Sequence, residues 1–75
     1  MKLTPESLQK IRTNLGITQG ELARQVGVSS SFLSAIERNE RRLTPRLEFE
    51  ILEEFRAVSA ELKVIIDEFD QLNEK

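Results

Sequence analysis

The stretch ITQGELARQVGVSSSFLSAIERN, residues 17–39, decides the fold of this chain. Thr18 is a good helix N-cap, and Glu21 follows three residues later. At this spacing the Thr hydroxyl accepts a free backbone N–H, and the Glu carboxylate accepts the N–H of the Thr. The apolar residues that follow at helical spacing are Leu22, Ala23 and Val26. Gly27 comes next, where a helix end favours a residue that tolerates positive φ.

A second short helix follows the first after a tight turn. Ser29 can cap it, and its apolar spacing comes from Phe32, Leu33 and Ile36. The small side chain of Ala23 lies near the point where the two predicted helices cross. Two helices joined by a turn of about four residues that contains a glycine form a helix-turn-helix.

The same stretch resembles the helix-turn-helix of the Cro and lambda-repressor-type family, also called the Xre family. The residues in register with the family pattern are Thr18, Gln19, Leu22, Ala23, Gly27, Val28, Ser29, Leu33, Ser34, Ile36, Glu37, Arg38 and Asn39. The resemblance covers about residues 8–58 and is most specific in the helix-turn-helix. Restriction-modification controller proteins and SinR-like regulators carry a similar S-x-I-E-R-N run.

The remaining pattern predicts an all-α fold of five helices in one domain, residues 1–75, with the helix-turn-helix at about 18–38. The predicted helices run from Pro5 to Gly16, Gln19 to Gln25, Ser30 to Arg38, Pro45 to Arg56, and from a Ser59 cap to about Leu72. In the family the fourth helix begins Pro-x-Leu at a fixed distance from the third. Here Leu47 and Phe49 straddle that Leu position, so the sequence leaves open which of them points inward.

The length and composition exclude several classes of function. A core of 75 residues buries only about 60% of the unfolded chain's surface, which favours association. The chain has neither Cys nor His, so zinc sites and most nucleophile–base pairs lack their usual residues. We therefore expect no enzyme, metal or cofactor. The longest apolar run, 64–66, is far too short for a membrane span, and we expect a cytoplasmic protein. The resemblance implies a bacterial, phage or plasmid origin.

Charge is divided unevenly along the chain. The net charge is −2, but residues 1–46 hold eight basic and four acidic residues, a local charge of +4. Residues 47–75 hold three basic and nine acidic residues, a local charge of −6. This asymmetry fits a basic DNA-binding face and an acidic opposite end, although two ordinary solvated faces would show the same pattern.

The start of the third helix carries the residues predicted to face DNA bases. A recognition helix presents its N-terminal residues to the major groove. The candidates on the outward side of the helix are Ser30, Ser31, Ser34 and Ala35, and the resemblance places three of them, Ser30, Ser31 and Ala35, at the family's main base-reading positions. Ser discriminates bases poorly, so DNA shape, water and Phe32 are expected to contribute. The simpler alternative is that these serines only cap and fill a helix start.

Two further sets of residues are predicted to contact phosphate. Gln19 opens the second helix, and the resemblance assigns it a phosphate contact at the helix N-terminus. Three arginines and an asparagine after the recognition helix form a predicted phosphate clamp that fixes position without reading sequence: Arg38, Asn39, Arg41 and Arg42. Solvated side chains are the alternative in both cases.

Two other predictions concern structure and assembly. The resemblance implies a partly buried ion pair between Arg12 and Glu37. Exposed apolar patches mark interfaces, and the candidates for a dimer seam on the fourth and fifth helices are Phe49, Leu52, Val64 and Phe69. Alternatively, Phe49 and Phe69 complete the core of the monomer.

The predicted function is that of a sequence-specific regulator of transcription. It would bind double-stranded DNA as a homodimer on a palindromic operator, and repress or autoregulate. The alternative is the antitoxin of a toxin–antitoxin pair, in which the acidic fifth helix would bind a protein partner. Co-purification with a small basic partner would separate the two.

Overall fold

The computed structural model describes the backbone of residues 2–73 and the side chains of residues 2–61. Within this part of the chain there are four helices and no strand. They are α1 (Pro5–Asn14), α2 (Gln19–Val26), α3 (Ser30–Glu37) and α4 (Pro45–Asn73). The prediction of an all-α fold with a helix-turn-helix is confirmed, because α2 and α3 lie within a residue of the predicted bounds.

The predicted caps define the starts of the first three helices. The Thr18 hydroxyl accepts the N–H of Glu21 at 3.1 Å, and the Glu21 carboxylate accepts the N–H of Thr18 at 2.9 Å. Thr4 makes the same reciprocal pair with Ser7, and the Ser29 hydroxyl accepts the N–H of Phe32 at 3.0 Å. These bonds satisfy backbone donors that a helix start leaves free, so the boundaries are set locally.

Left-handed residues end α2 and α3. Gly27 has φ +76°, as its position after α2 predicts. Asn39 has φ +61° and, apart from glycines, is the one residue with positive φ in the described chain. Asn tolerates this conformation better than most side chains, so the predicted left-handed turn after α3 is confirmed.

The hydrophobic core is formed by side chains from one face of each helix, together with Leu3. Its buried members are Leu3, Leu8, Leu22, Ala23, Leu33, Ile36, Leu47, Ile51 and Phe55. Leu3 precedes α1 and has no place in the periodic pattern, so the sequence did not predict its burial. Its backbone N–H donates to Glu48 Oε2 at 2.7 Å, which attaches the N-terminal segment to the start of α4.

The structure decides between Leu47 and Phe49. Leu47 is buried with 7% of its surface exposed, whereas Phe49 is 62% exposed. Leu47 and Ile51 are four residues apart and lie on the same face of α4. Phe49 is offset from that face by two residues and therefore points outward.

The predicted break between a fourth and a fifth helix is absent. One helix, α4, runs from Pro45 to Asn73 and passes through Ser59 without interruption. Neither Gly nor Pro occurs in residues 46–75, and a Ser inside a helix costs at most about 0.7 kcal/mol relative to Ala. The capping tendency of Ser59 was therefore too weak a signal. The side chains of Val64 and Phe69 lie outside the described residues.

A partly buried ion pair joins α3 to α1 and to the segment before α2. Arg12 donates from Nε to Glu37 Oε2 at 2.7 Å and from Nη2 to Glu37 Oε1 at 3.1 Å. Its Nη1 donates to the carbonyl of Ile17 at 2.8 Å. The exposed fractions of the two charged side chains are 12% for Arg12 and 4% for Glu37. The predicted pair is confirmed, and it sets the position of α3.

Candidate nucleic-acid interface

A shallow polar concavity lies at the exposed side of α3. Its volume is about 300 Å³, and its lining residues are Gln19, Ser30, Ser31, Ser34 and Arg38. Ser30 and Ser31 are exposed, and Ser34 is half-buried. The start of α2 and the outer side of α3 therefore share one surface, which brings together five of the residues that the sequence singled out.

Gln19 is held more firmly than the sequence predicted. Its side-chain Nε2 donates to Glu37 Oε1 at 2.8 Å. Glu37 thereby accepts hydrogen bonds from both Arg12 and Gln19, which come from different helices. An amide nitrogen has two hydrogens, so this bond orients the Gln19 side chain and leaves one hydrogen for another acceptor.

Phe32 and Arg41 lie together beside α3. Phe32 is half-buried and packs against the core, while Arg41 is exposed. The Arg41 guanidinium carbon is 6.0 Å from the centre of the Phe32 ring, at the limit of a cation–π contact. Phe32 therefore contributes to the interior as well as to the surface, and the loop after α3 turns back toward the start of the helix.

Arg38 makes contacts that sequence reasoning missed. Its Nε and Nη2 donate to Glu40 Oε2 and Oε1, each at 3.1 Å. Its Nη1 donates to the Ser34 hydroxyl. The hydrogen bond from Arg38 lowers the pKa of the Glu40 carboxyl, and the same contact raises the pKa of Arg38. The signal in the sequence was a single acidic residue within a basic loop.

The remaining predicted residues lie around the concavity or beyond it. Ala35 is half-buried on α3, and Asn39 and Arg42 are exposed in the turn and loop that follow. None of these three lines the concavity. The loop 38–42 carries three Arg and one Glu, so it remains basic.

An exposed recognition-type helix, a second helix packed across it and an adjacent basic loop define a helix-turn-helix DNA-binding domain. The family model described as Helix-turn-helix (HTH_3) matches residues 8–62, which is most of the chain. The chain belongs to this family, in its Xre-type branch, and is a DNA-binding regulator of transcription.

A solved structure supports the same assignment. The chain is similar to the wild-type restriction-modification controller protein C.Esp1396I, with 33% sequence identity and a TM-score of 0.65. The match covers 69% of this chain and 68% of that protein. Comparison with curated proteins gave no match. Within the described residues, no helix combines the length and the apolar character needed to cross a membrane.

Proposed function

We propose that this protein represses transcription, including that of its own gene, as a homodimer on a palindromic operator. The observation that carries the proposal is the polar concavity on α3 beside a basic loop. In a helix-turn-helix such a surface enters the major groove, and the flanking cations contact phosphate.

Bases would be read at the start of α3. Ser30 and Ser31 are exposed there and offer hydroxyls that donate or accept. Ala35 offers a methyl group to thymine. No Arg, Asn or Gln stands at these positions to make a two-bond contact with a base. Specificity would therefore depend strongly on DNA shape and on ordered water.

Phosphate would be contacted from both ends of the concavity. Gln19 would use its second amide hydrogen, with the first held by Glu37. The cations on the other side are Arg38, Arg41 and Arg42, with Asn39 between them. Such contacts fix the register of the protein on the duplex without reading its sequence.

A gel-shift titration with DNA from upstream of the protein's own gene tests the interface. Replacing Arg41 and Arg42 by Ala should weaken binding to all sequences. It should also flatten the plot of log affinity against log salt by roughly 0.9 for each phosphate that the protein no longer neutralises. A matched control replaces Lys2 and Lys10 by Ala, which removes the same charge from exposed positions before and within α1. Equal slopes in the two variants would reject the basic loop as a DNA contact.

Apolar surface on α4 supports the proposal of a homodimer. An open groove of about 460 Å³ between α1 and the middle of α4 is lined mainly by Ile11, Leu15, Leu52 and Phe55. Phe49 is largely exposed elsewhere on α4. A small domain gains stability by burying such surface, and a two-fold pair would place its recognition helices about 34 Å apart, one turn of DNA.

Sedimentation at tens of micromolar protein tests the dimer. The parent protein should sediment at twice the monomer mass. Phe69→Asp and Phe49→Asp are compared, because both residues are proposed for the seam, although the side chain of Phe69 lies outside the described residues. Loss of the dimer in a folded variant would locate the seam. A monomeric parent would reject the homodimer while leaving DNA binding by the domain intact.

A further inference from the structure

One cation of the proposed phosphate clamp already forms an ion pair with a carboxylate of the same chain. The Arg38 side chain binds both oxygens of Glu40 through Nε and Nη2. An Arg guanidinium binds a phosphate through the same kind of parallel pair of N–H bonds. The donors that a phosphate would use most effectively are therefore engaged by Glu40.

The turn after α3 creates this pairing. Asn39 is left-handed, its N–H donates to the carbonyl of Ile36 at 2.9 Å, and the N–H of Glu40 donates to the carbonyl of Ala35 at 2.8 Å. This pattern of bonds reverses the chain at the helix end. Glu40 thus contributes to the turn through its backbone, while its side chain lies alongside that of Arg38.

The pair lies on the surface that is proposed to meet DNA. The exposed fractions are 56% for the Arg38 side chain and 59% for that of Glu40. Arg38 also lines the concavity and donates to the Ser34 hydroxyl. An exposed ion pair contributes little to stability, so the carboxylate is not needed to hold the fold.

We infer that Glu40 limits the affinity of this protein for DNA by competing with the phosphate backbone for the guanidinium group of Arg38. The inference rests on the proposed contact of this face with DNA. A phosphate must displace the Glu40 carboxylate or approach a pair with no net charge. Either route reduces the counterion release that drives binding.

The test compares Glu40→Gln with the parent in DNA titrations over a range of salt concentrations. The probes are the DNA upstream of the gene and an unrelated duplex of equal length. Because one released counterion scales affinity by roughly the 0.9 power of salt concentration, we expect Glu40→Gln to bind both duplexes roughly five- to tenfold more tightly per protomer at about 0.1 M salt. Its salt slope should steepen by about 0.9 per protomer, the value for one additional neutralised phosphate.

Glu53→Gln is the matched control. Glu53 is exposed and forms an ion pair with Arg56 on α4, so the substitution causes the same change in net charge at another exposed Arg–Glu pair. Its salt slope should stay at the parent value. An equal gain in DNA affinity in Glu40→Gln and Glu53→Gln would show that net charge alone is responsible, and would overturn the inference.

A second comparison requires that Arg38 carry the effect. Glu40→Gln in an Arg38→Gln background should not steepen the salt slope, because no guanidinium is released. The inference is overturned if the parent binds DNA and Glu40→Gln leaves its affinity unchanged or weaker, or if the slope steepens equally without Arg38. In those cases the proposed interface stands as long as Arg41 and Arg42 are needed. A parent that binds neither duplex would reject the interface and the inference together.

Discussion

Two Arg–Glu pairs lie at the end of α3 and differ in their exposure to solvent. Glu37 pairs with Arg12, and those side chains are 4% and 12% exposed. Its neighbour in sequence, Arg38, pairs with Glu40, and those side chains are 56% and 59% exposed. Both pairs use the same two-bond geometry. The two pairs therefore differ in burial and not in chemistry. The less exposed pair, Arg12–Glu37, is a structural contact, whereas the exposed pair, Arg38–Glu40, lies where a ligand can reach it.

The physical reason is the solvent that each pair loses. The buried carboxylate of Glu37 has three donors, two from Arg12 and one from Gln19. Removing one partner would leave a desolvated charge without compensation. Around Arg38 and Glu40, water and salt replace any partner that is removed. The buried pair should control stability and the exposed pair should control binding.

The largest expected effect comes from breaking the buried pair. Arg12→Ala or Glu37→Ala should lower the free energy of unfolding by an amount approaching the ~3–5 kcal/mol typical of a fully buried pair, and by less to the extent that water enters. Thermal and urea melts measure the decrease, with Arg38→Ala as the control that removes the exposed pair. If neither Arg12→Ala nor Glu37→Ala lowers the melting temperature, the contrast between the two pairs is wrong.

Gln19 gives a smaller effect that tests whether its amide belongs to the buried network. Gln19→Ala removes one donor to Glu37 and should cost about 1–3 kcal/mol of stability, the range for a hydrogen bond to a charged or buried group. Gln25→Ala removes an exposed glutamine from the same helix and serves as the control in urea melts. Equal stability of the two variants would leave Gln19 with a role at the surface only.

Asn39 affects only the exposed pair, because its left-handed backbone brings Glu40 beside Arg38. Asn39→Ala should lower the free energy of unfolding by up to about 1 kcal/mol, because Ala keeps the β-carbon but lacks the polar side chain that lets Asn tolerate φ of +61°. Asn39→Gly should match or slightly exceed the parent, because Gly adopts this conformation freely. Urea melts of the three proteins decide, and an Ala variant as stable as the Gly variant would show that the turn bears no strain.

The smallest effect is the response of exposed carboxyls to acid. The bond from the backbone N–H of Thr18 is the main reason that the pKa of Glu21 lies below the ordinary 4.5. The folded state therefore binds the proton less readily than the unfolded state. The contribution of the Glu21 carboxylate to stability is complete above pH 4.5. It disappears as the pH falls through the pKa that Glu21 has in the folded state. Melts from about pH 5 to pH 3 should show a shallower decline in Glu21→Gln than in the parent, and identical slopes would contradict the shift.

Local signals explain why the first three helices were predicted well. Thr4, Thr18 and Ser29 each form the cap that their positions indicate. The turns at Gly27 and Asn39 adopt positive φ as expected. Each boundary depends on atoms within a few residues, so the sequence pattern contains the information. At Ser59 the local signal was only a capping tendency, and the helix continued through it.

By itself, the sequence determined the helix-turn-helix with its caps and turns, and it predicted which residues would face DNA. It also predicted the Arg12–Glu37 pair through resemblance to a family. Only the tertiary structure decided that Leu47 is buried while Phe49 is exposed, and that Gln19 joins the Glu37 network. It alone placed Glu40 against Arg38. Caps and turns depend on neighbours along the chain, whereas burial and side-chain pairing depend on how helices and turns are packed in space.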